Sequence, residues 1–403
     1  MKVLCVFGKY QYGDKSRGIA TEYAAFIPAL EKLGHEVIHF ESWDMSLYGD
    51  YANLNKALLK KAIDIHPDVL LTVQLHYEIW IETIEIITEM GSIATISWTS
   101  DDSWKYKEVS RFIGTAYTAM TTTYPDIVSL YHRDGIPNVL LTQWGASSET
   151  FSSPINASQC IYQVSFVGRA FGSRISRVKE IKDKGIEVQC FGHGWDSGSV
   201  TDNEMYRIMK ESFISINFAN SRGGNQIKAR TFEIPGAGGF LLTEYTPGLE
   251  LFYEIGKEID VFHNNEELIE KINFYLEQPD LRDSIALNGF ERTSRDHCYE
   301  KRVQEILNFA VESKKITTKE QNSLLSQDKE KIESDFNKLC EHTKITKNML
   351  LLKYLLLNFC LIIWGNKKGP KAARRIAYEI SLRTWGRKTF TSISFPARMF
   401  PGI

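Results

Sequence analysis

Short apolar runs rich in β-branched residues alternate with amphipathic helical stretches along this chain, and the alternation starts twice. The first series opens with "KVLCVFG", a buried strand closed by Gly8, followed by "SRGIATEYAAFIPALEKLG", in which Ile19, Tyr23, Phe26, Ile27 and Leu30 recur at helical spacing and Gly34 ends the helix. "HEVIHFE", "PDVLLTVQ", "SIATISWTS", "AMTTTY" and "NVLLTQW" continue as strands, with "NKALLKKAIDIH" and "WIETIEIITEMG" as helices between them. "FSSPINASQ" then breaks the pattern and reads as a linker. Behind it the grammar restarts: strands "YQVSFVG", "IEVQCFG" and "FISINFA", helices "SRISRVKEIKDKG", "DNEMYRIMKES", "NEELIEKINFYLEQ" and "PDLRDSIALNGFERTSR". Strand–helix–strand at this spacing requires a parallel sheet covered on both faces. The fold class is therefore α/β, with two Rossmann-like domains at 1–150 and 160–312. A polar helical spacer is expected at 313–348 and an apolar, basic helical tail at 349–403. Two such domains, with strand ends and helix N-termini at one edge of each, are expected to face each other across a cleft.

Composition adds limits. Hydrophobic content of 43% and charged content of 24% belong to a folded protein, and a net charge of -2 argues against a nucleic-acid partner. That average hides a split, because from Lys344 onward twelve Lys and Arg face the single acidic Glu379. The six cysteines are scattered, without C-x-x-C or histidines at ligand spacing, so reduced thiols in a cytoplasmic protein and no metal site are expected. The first residues lack the apolar core of a signal peptide.

Two glycine-spaced turns are candidates for ligand binding. "GRAFGSR" places Gly168, Arg169, Gly172 and Arg174 around a strand-to-helix turn, where free N–H groups, a helix dipole and two guanidinium groups suit a diphosphate. An ordinary turn with solvated arginines fits the same residues. "GKYQYGDKSRG", with Gly8, Gly13, Arg17 and Gly18, is not G-x-G-x-x-G, so neither a dinucleotide fingerprint nor a P-loop is present.

"GNQIKARTFEIPGAGGFLLTEYTPGLELFYEIGKEIDVFHNNEELIEKINFYLEQPD" resembles the donor-binding half of GT-B glycosyltransferases of group 1, in particular their CgeB-like branch. "VSFVGR", "FGHGWD" and "RDHCYEKR", with "TISWTSDDSW" and "QWGAS" in the first half, extend the likeness over residues 1 to 310. The resemblance implies that Glu233 accepts hydrogen bonds from the donor's ribose hydroxyls, that Gly236, Gly238 and Gly239 let the backbone approach the nucleotide, and that Arg230, Lys228, Arg169 and Arg174 neutralise the diphosphate. A surface i,i+3 pair of Arg230 with Glu233 is the plainer reading of those two residues. Where group 1 enzymes carry another glutamate, eight residues earlier, this chain has Asn225, which leaves the donor sugar and anomeric mechanism open.

On the acceptor side, Asp101 and Asp102 follow an apolar strand and either could be the general base, although an Asx turn or helix cap uses the same residues. His76, in "QLHYE", is a rival. Trp98 and Trp104 could stack on a sugar or belong to the core. With no D-x-D motif, a metal-dependent site is not expected and no cofactor is called for, the nucleotide-diphosphate sugar being substrate.

"MLLLKYLLLNFCLIIW", at 349–364, is apolar almost all round, and "KKGPKAARRIAYEISLRTWGRK" after it is basic and amphipathic. Sixteen helical residues span about 24 Å, short of a bilayer core of about 30 Å, and Lys353 interrupts them. Residues 349–388 are therefore expected to lie on an anionic inner leaflet, or to pack on the body or on another subunit. The expected activity is transfer of a sugar from a nucleotide sugar to a glycan or lipid-linked acceptor. A non-catalytic scaffold and a nucleotide-sugar epimerase are the alternatives.

Overall fold

The computed structural model describes residues 1–222, 224–320, 329–341, 343 and 345–400. Of the spacer expected at 313–348, residues 321–328, 342 and 344 lie outside the described residues. The chain divides into two compact units, one of residues 1–142 with 304–403, the other of residues 143–303.

The first unit is built on six parallel strands: β1 (Lys2–Val6), β2 (Glu36–Phe40), β3 (Val69–Thr72), β4 (Ala94–Ser97), β5 (Ala119–Thr122) and β6 (Val139–Leu141). Their order across the sheet is β2-β1-β3-β4-β5-β6. β1 is an interior strand, and Val3 to Val6 are fully buried, as a strand covered on both faces requires. The helix Thr21–Lys32 follows β1, and Tyr51–Ile65 follows β2 with Asp50 capping it by accepting from Asn53 N at 2.7 Å. The hydrophobic core of this unit also takes in Phe336, Cys340, Tyr378, Phe390 and Ala397 from the C-terminal segment.

The second unit has five parallel strands: β7 (Tyr162–Val167), β8 (Val188–Phe191), β9 (Ser212–Asn217), then β12 (Leu241–Glu244) and β13 (Asp260–Phe262), in the order β13-β12-β9-β7-β8. Between β9 and β12 a two-residue-strand hairpin pairs β10 (Asn220–Ser221) with β11 (Gly224–Asn225). The stretch 151–159, expected as a linker, is fastened into this unit. Ser152 N donates to Gly236 O at 3.1 Å, and the fully buried Arg282 reaches Ile155 O (3.0 Å), Phe213 O (2.8 Å) and Ser212 O (2.8 Å).

The longest helix, Lys347–Trp385, is interrupted at Gly365, whose φ of 69° falls in the left-handed region. Residues 347–364 and 366–385 fold back on each other there. Cys360, Ala373, Ala377, Met399 and Phe400 form a small apolar cluster between them and the last short helix, Phe395–Met399.

Candidate functional site

In an open parallel sheet, ligands bind where neighbouring strands send their connections to opposite sides, outside the strand C-termini. In the second unit that place lies between β7 and β9. The loop leaving β7 carries Gly168, the exposed Arg169 and Gly172, and leads into the helix Arg174–Asp183, whose N-cap Ser173 makes no side-chain cap. The chain leaving β9 forms the 220–225 hairpin. Arg174 joins the two: its Nε donates to Asn220 Oδ1 (3.0 Å), its Nη2 to Phe218 O (3.3 Å) and its Nη1 to Arg169 O (3.2 Å). Burial pulls the Arg174 guanidinium below its ordinary value; Glu244 opposes this, while Arg177 and Arg230 add to it. Three arginines and a carboxylate thus act on one spot.

Beside it, Lys228 Nζ donates to Asn220 O at 2.6 Å. Asn225 is exposed, and its amide donates to Tyr245 O at 3.0 Å. Arg230 and Glu233 sit on the short helix Arg230–Gly236 and form an ion pair, half-buried rather than on the open surface. Sequence reasoning missed Arg177 and Glu244. Glu244, at the end of β12, accepts from Ala219 N (3.0 Å) and from Arg177 Nη1 (2.8 Å), which fixes the chain just past β9. The only local signal was a carboxylate at a strand end.

The three glycines behind Glu233 pack closely against the protein. All are buried, and what they approach is protein backbone. A Cβ on Gly238 (φ 83°) would stand 2.4 Å from Ser152 O, one on Gly239 2.5 Å from Met209 O, and one on Gly236 3.0 Å from Ala146 Cβ. They let the 146–154 segment and Met209 pack against this turn, which is a structural use of Gly236, Gly238 and Gly239.

In the first unit the corresponding place lies between β1 and β3. The loops leaving these strands line a cavity of about 410 Å³ that includes Gly13, Arg17, His76 and Glu78, together with Lys371 and Arg374 from the C-terminal segment. Arg17 Nε donates to Asp14 Oδ2 at 3.1 Å. Gly8 and Gly13 lie against Trp43, while Gly18 (φ 83°) ends the loop. Glu78 is buried and accepts from the N–H groups of His76 (2.7 Å) and Leu75; burial pushes its carboxyl up against those bonds.

Asp101 and Asp102 separate sharply. Asp102 is 1% exposed and accepts from Ser110 Oγ (2.7 Å), Tyr131 OH (2.8 Å) and Thr99 Oγ1 (2.9 Å), and burial pushes its carboxyl up despite these hydroxyls. A carboxylate so enclosed cannot meet an acceptor, so the catalytic reading of Asp102 gives way to a structural one. Asp101 is half-exposed at the start of the helix Asp102–Lys105. Near it stands Glu22, whose carboxyl is raised by burial, lowered by Lys105 and raised again by Asp101. Sequence reasoning missed Glu22 because it sits within an otherwise ordinary helix. Trp98 is core, edge-on to Phe26 at 5.2 Å, whereas Trp104 is half-exposed beneath Lys105. Among the described residues no group of three or more His, Cys, Asp or Glu is placed to hold a metal ion.

Residues 174–308, about a third of the chain, match the family described as glycosyl transferase-like. No curated protein sequence matches. Among solved structures, sucrose-phosphate synthase from Thermosynechococcus elongatus is similar at a TM-score of 0.55 and 11% identity, covering 79% of this chain and 99% of that one. HepE of Anabaena, in complex with UDP-glucose, is similar at 0.53 and 12%, covering 76% and 98%. TarM of S. aureus gives 0.48 and 11%, and the match spans 64% of this chain and only 58% of TarM. At such identities the likeness is one of fold: the chain has the two-domain α/β GT-B fold, and its second unit is glycosyltransferase-like in sequence.

Proposed function

We propose that this GT-B chain is a glycosyltransferase that moves a sugar from a nucleoside-diphosphate donor to a glycan or lipid-linked acceptor in surface glycoconjugate synthesis, at the cytoplasmic face of a membrane. The observation that carries this reading is the convergence at the β7/β9 switch point. There an uncapped helix N-terminus, Arg174, Lys228, Arg230 and Glu233 surround one place on the second sheet. The loop N–H groups and Arg169 take the diphosphate. Arg230 leaves Glu233 for a phosphate oxygen, and Glu233, acceptor-only, takes both ribose hydroxyls. Asn225 replaces a charged partner for the donor sugar with an amide.

The bond from the anomeric carbon to the diphosphate oxygen breaks with its electron pair going to the leaving nucleotide. The acceptor oxygen bonds to that carbon and gives up its proton. Charge on the leaving group is balanced by guanidinium groups and the helix dipole, which makes the reaction metal-independent. Retention of configuration and a place in the CgeB-like branch rest on the motif likeness. On the acceptor side Asp101, with Glu22 beside it, and His76 are the candidates for the base.

The test is calorimetry of the purified protein against UDP, GDP, CDP, ADP and dTDP, with Glu233→Ala as control, followed by turnover with and without acceptor. Binding of one diphosphate that the variant loses, and turnover only with acceptor, is the expected result. Interconversion of the donor alone would instead mark an epimerase. Absence of binding to any diphosphate by folded protein would leave a scaffold.

A further inference from the structure

The helix arm 347–364 is apolar almost all round, Lys353 and Asn358 being the polar residues beyond its first two positions, and the fold covers only one stripe of it. Leu356, Leu357 and Cys360 pack on the returning arm, and Lys353 lies over the Phe400 ring at 5.6 Å. The rest faces outward: Leu351 is 62% exposed, Leu355 59%, Phe359 55% and Ile362 84%. The helix that carries it holds a stretch long and apolar enough to cross a membrane, of which only 6% is buried. A patch of this kind does not persist in water without a function.

What covers it follows from shape and charge. The break at Gly365 turns the chain back, and close packing secures the turn: a Cβ on Gly369 would stand 2.9 Å from Leu361 Cα and 3.0 Å from Leu361 N. The apolar arm is thus eighteen residues, about 27 Å, before reversal, enough by length and composition to cross a bilayer core of about 30 Å; what bars a crossing is the basic returning arm packed against it. The apex carries exposed Lys367 and Lys368, so the hairpin cannot enter hydrocarbon tip first. Lys371, Arg383 and Lys388 continue the basic run on the returning side, where Glu379 is the only acid.

We propose that the hairpin 347–388 is a monotopic anchor whose first arm lies flat in an anionic lipid surface, its leucine, isoleucine and phenylalanine face sunk among the acyl chains and its lysines among the headgroups. Because Lys371 and Arg374 of the returning arm also line the first unit's cavity, the anchored arm brings that cavity to the lipid surface. This last step rests on the transferase reading, and it makes the acceptor lipid-borne.

The experiment is co-sedimentation of the full chain with vesicles of phosphatidylglycerol and phosphatidylethanolamine, against pure phosphatidylcholine, for the wild type and for Leu355→Glu with Ile362→Glu. Both side chains are exposed, so folding should be kept, checked by the melting temperature and by nucleotide binding. The wild type should bind the anionic vesicles at least about tenfold more strongly than the neutral ones and weaken in about 0.5 M salt, and the double variant should lose binding. Trp364 fluorescence should shift to the blue with vesicles in the wild type only. Failure of the wild type to bind vesicles, or equal binding by the variant, overturns the anchor. So does a lipid-free dimer in sedimentation equilibrium that the same variant dissociates, which would make this face a contact between two copies. Nucleotide calorimetry on the same samples reports separately on the transferase reading.

Discussion

Arg230 and Glu233 form an ion pair, so a donor that uses either side chain must compete with the other. Glu233→Gln keeps the volume but gives up the acceptor-only carboxylate. It should weaken binding of the donor diphosphate or its sugar by at least about tenfold, about 1.4 kcal/mol, with little change in melting temperature. Unchanged affinity by calorimetry would remove Glu233 from the site. The two neighbouring aspartates should divide by assay. Asp102→Asn loses a carboxylate that three hydroxyls hold, and should cost about 1–3 kcal/mol of stability. Asp101→Asn should keep the melting temperature and lower kcat; the reverse pattern would restore Asp102 to the chemistry. His297, buried against the Phe232, Phe252 and Tyr253 rings, has its pKa pulled by burial from the ordinary 6.5 to about 4. Above pH 6.5 both folded and unfolded forms carry it neutral. Between 6.5 and 4 only the unfolded form takes the proton, so stability should fall as pH falls through that window, by up to roughly 3 kcal/mol. Thermal melts of wild type against His297→Phe check this, the variant's curve being flatter. The pairing of Arg230 with Glu233 was legible in the sequence because the two stand three positions apart on one short helix. The partners of Arg174 were not, because Asn220 and Phe218 lie more than forty positions away.

The helix Arg230–Gly236 and the turn after it show how one stretch serves two purposes. Its first half presents Arg230 and Glu233, and its second half is buried against the 146–154 segment. Gly238 combines a φ of 83° with backbone on the far side, so Gly238→Ala has no room to relax. It should cost at least about 2 kcal/mol in denaturant unfolding, well above an exposed Gly→Ala change. If donor affinity alone fell and stability did not, the glycine would be lining the nucleotide after all. Arg282 does comparable work at the foot of β9, where it satisfies three carbonyls from two segments. The six strands of the first sheet, β7 to β9 and most helices were legible from period and punctuation, whereas β13 and the two strands of the 220–225 hairpin, two or three residues each, are too short to show a period. The fastening of 151–159 was not, because Ser, Pro and Asn suit a free linker and an embedded turn equally well.

At the scale of the molecule, the second unit is inserted into the first, whose core is completed only after Val303. A chain ending at Val303 would lose Phe336, Tyr378 and Phe390 from that core. At roughly 3–5 kcal/mol for each large aromatic, the three together cost about 9–15 kcal/mol, comparable to the whole stability of a domain of about 5–15 kcal/mol. Calorimetry should show the first unit's transition gone and the second unit's retained; two intact transitions would mean that the C-terminal segment is dispensable. By itself the sequence determined two parallel-sheet units, the position of the glutamate turn and the lopsided charge of the tail, because periodicity, punctuation and composition are properties of neighbouring residues. Only the tertiary structure decided which strands flank each switch point, which aspartate is enclosed, what the glycines pack against and which face of the apolar arm stays uncovered. Those outcomes depend on groups far apart in sequence competing for the same space, and no local pattern records them.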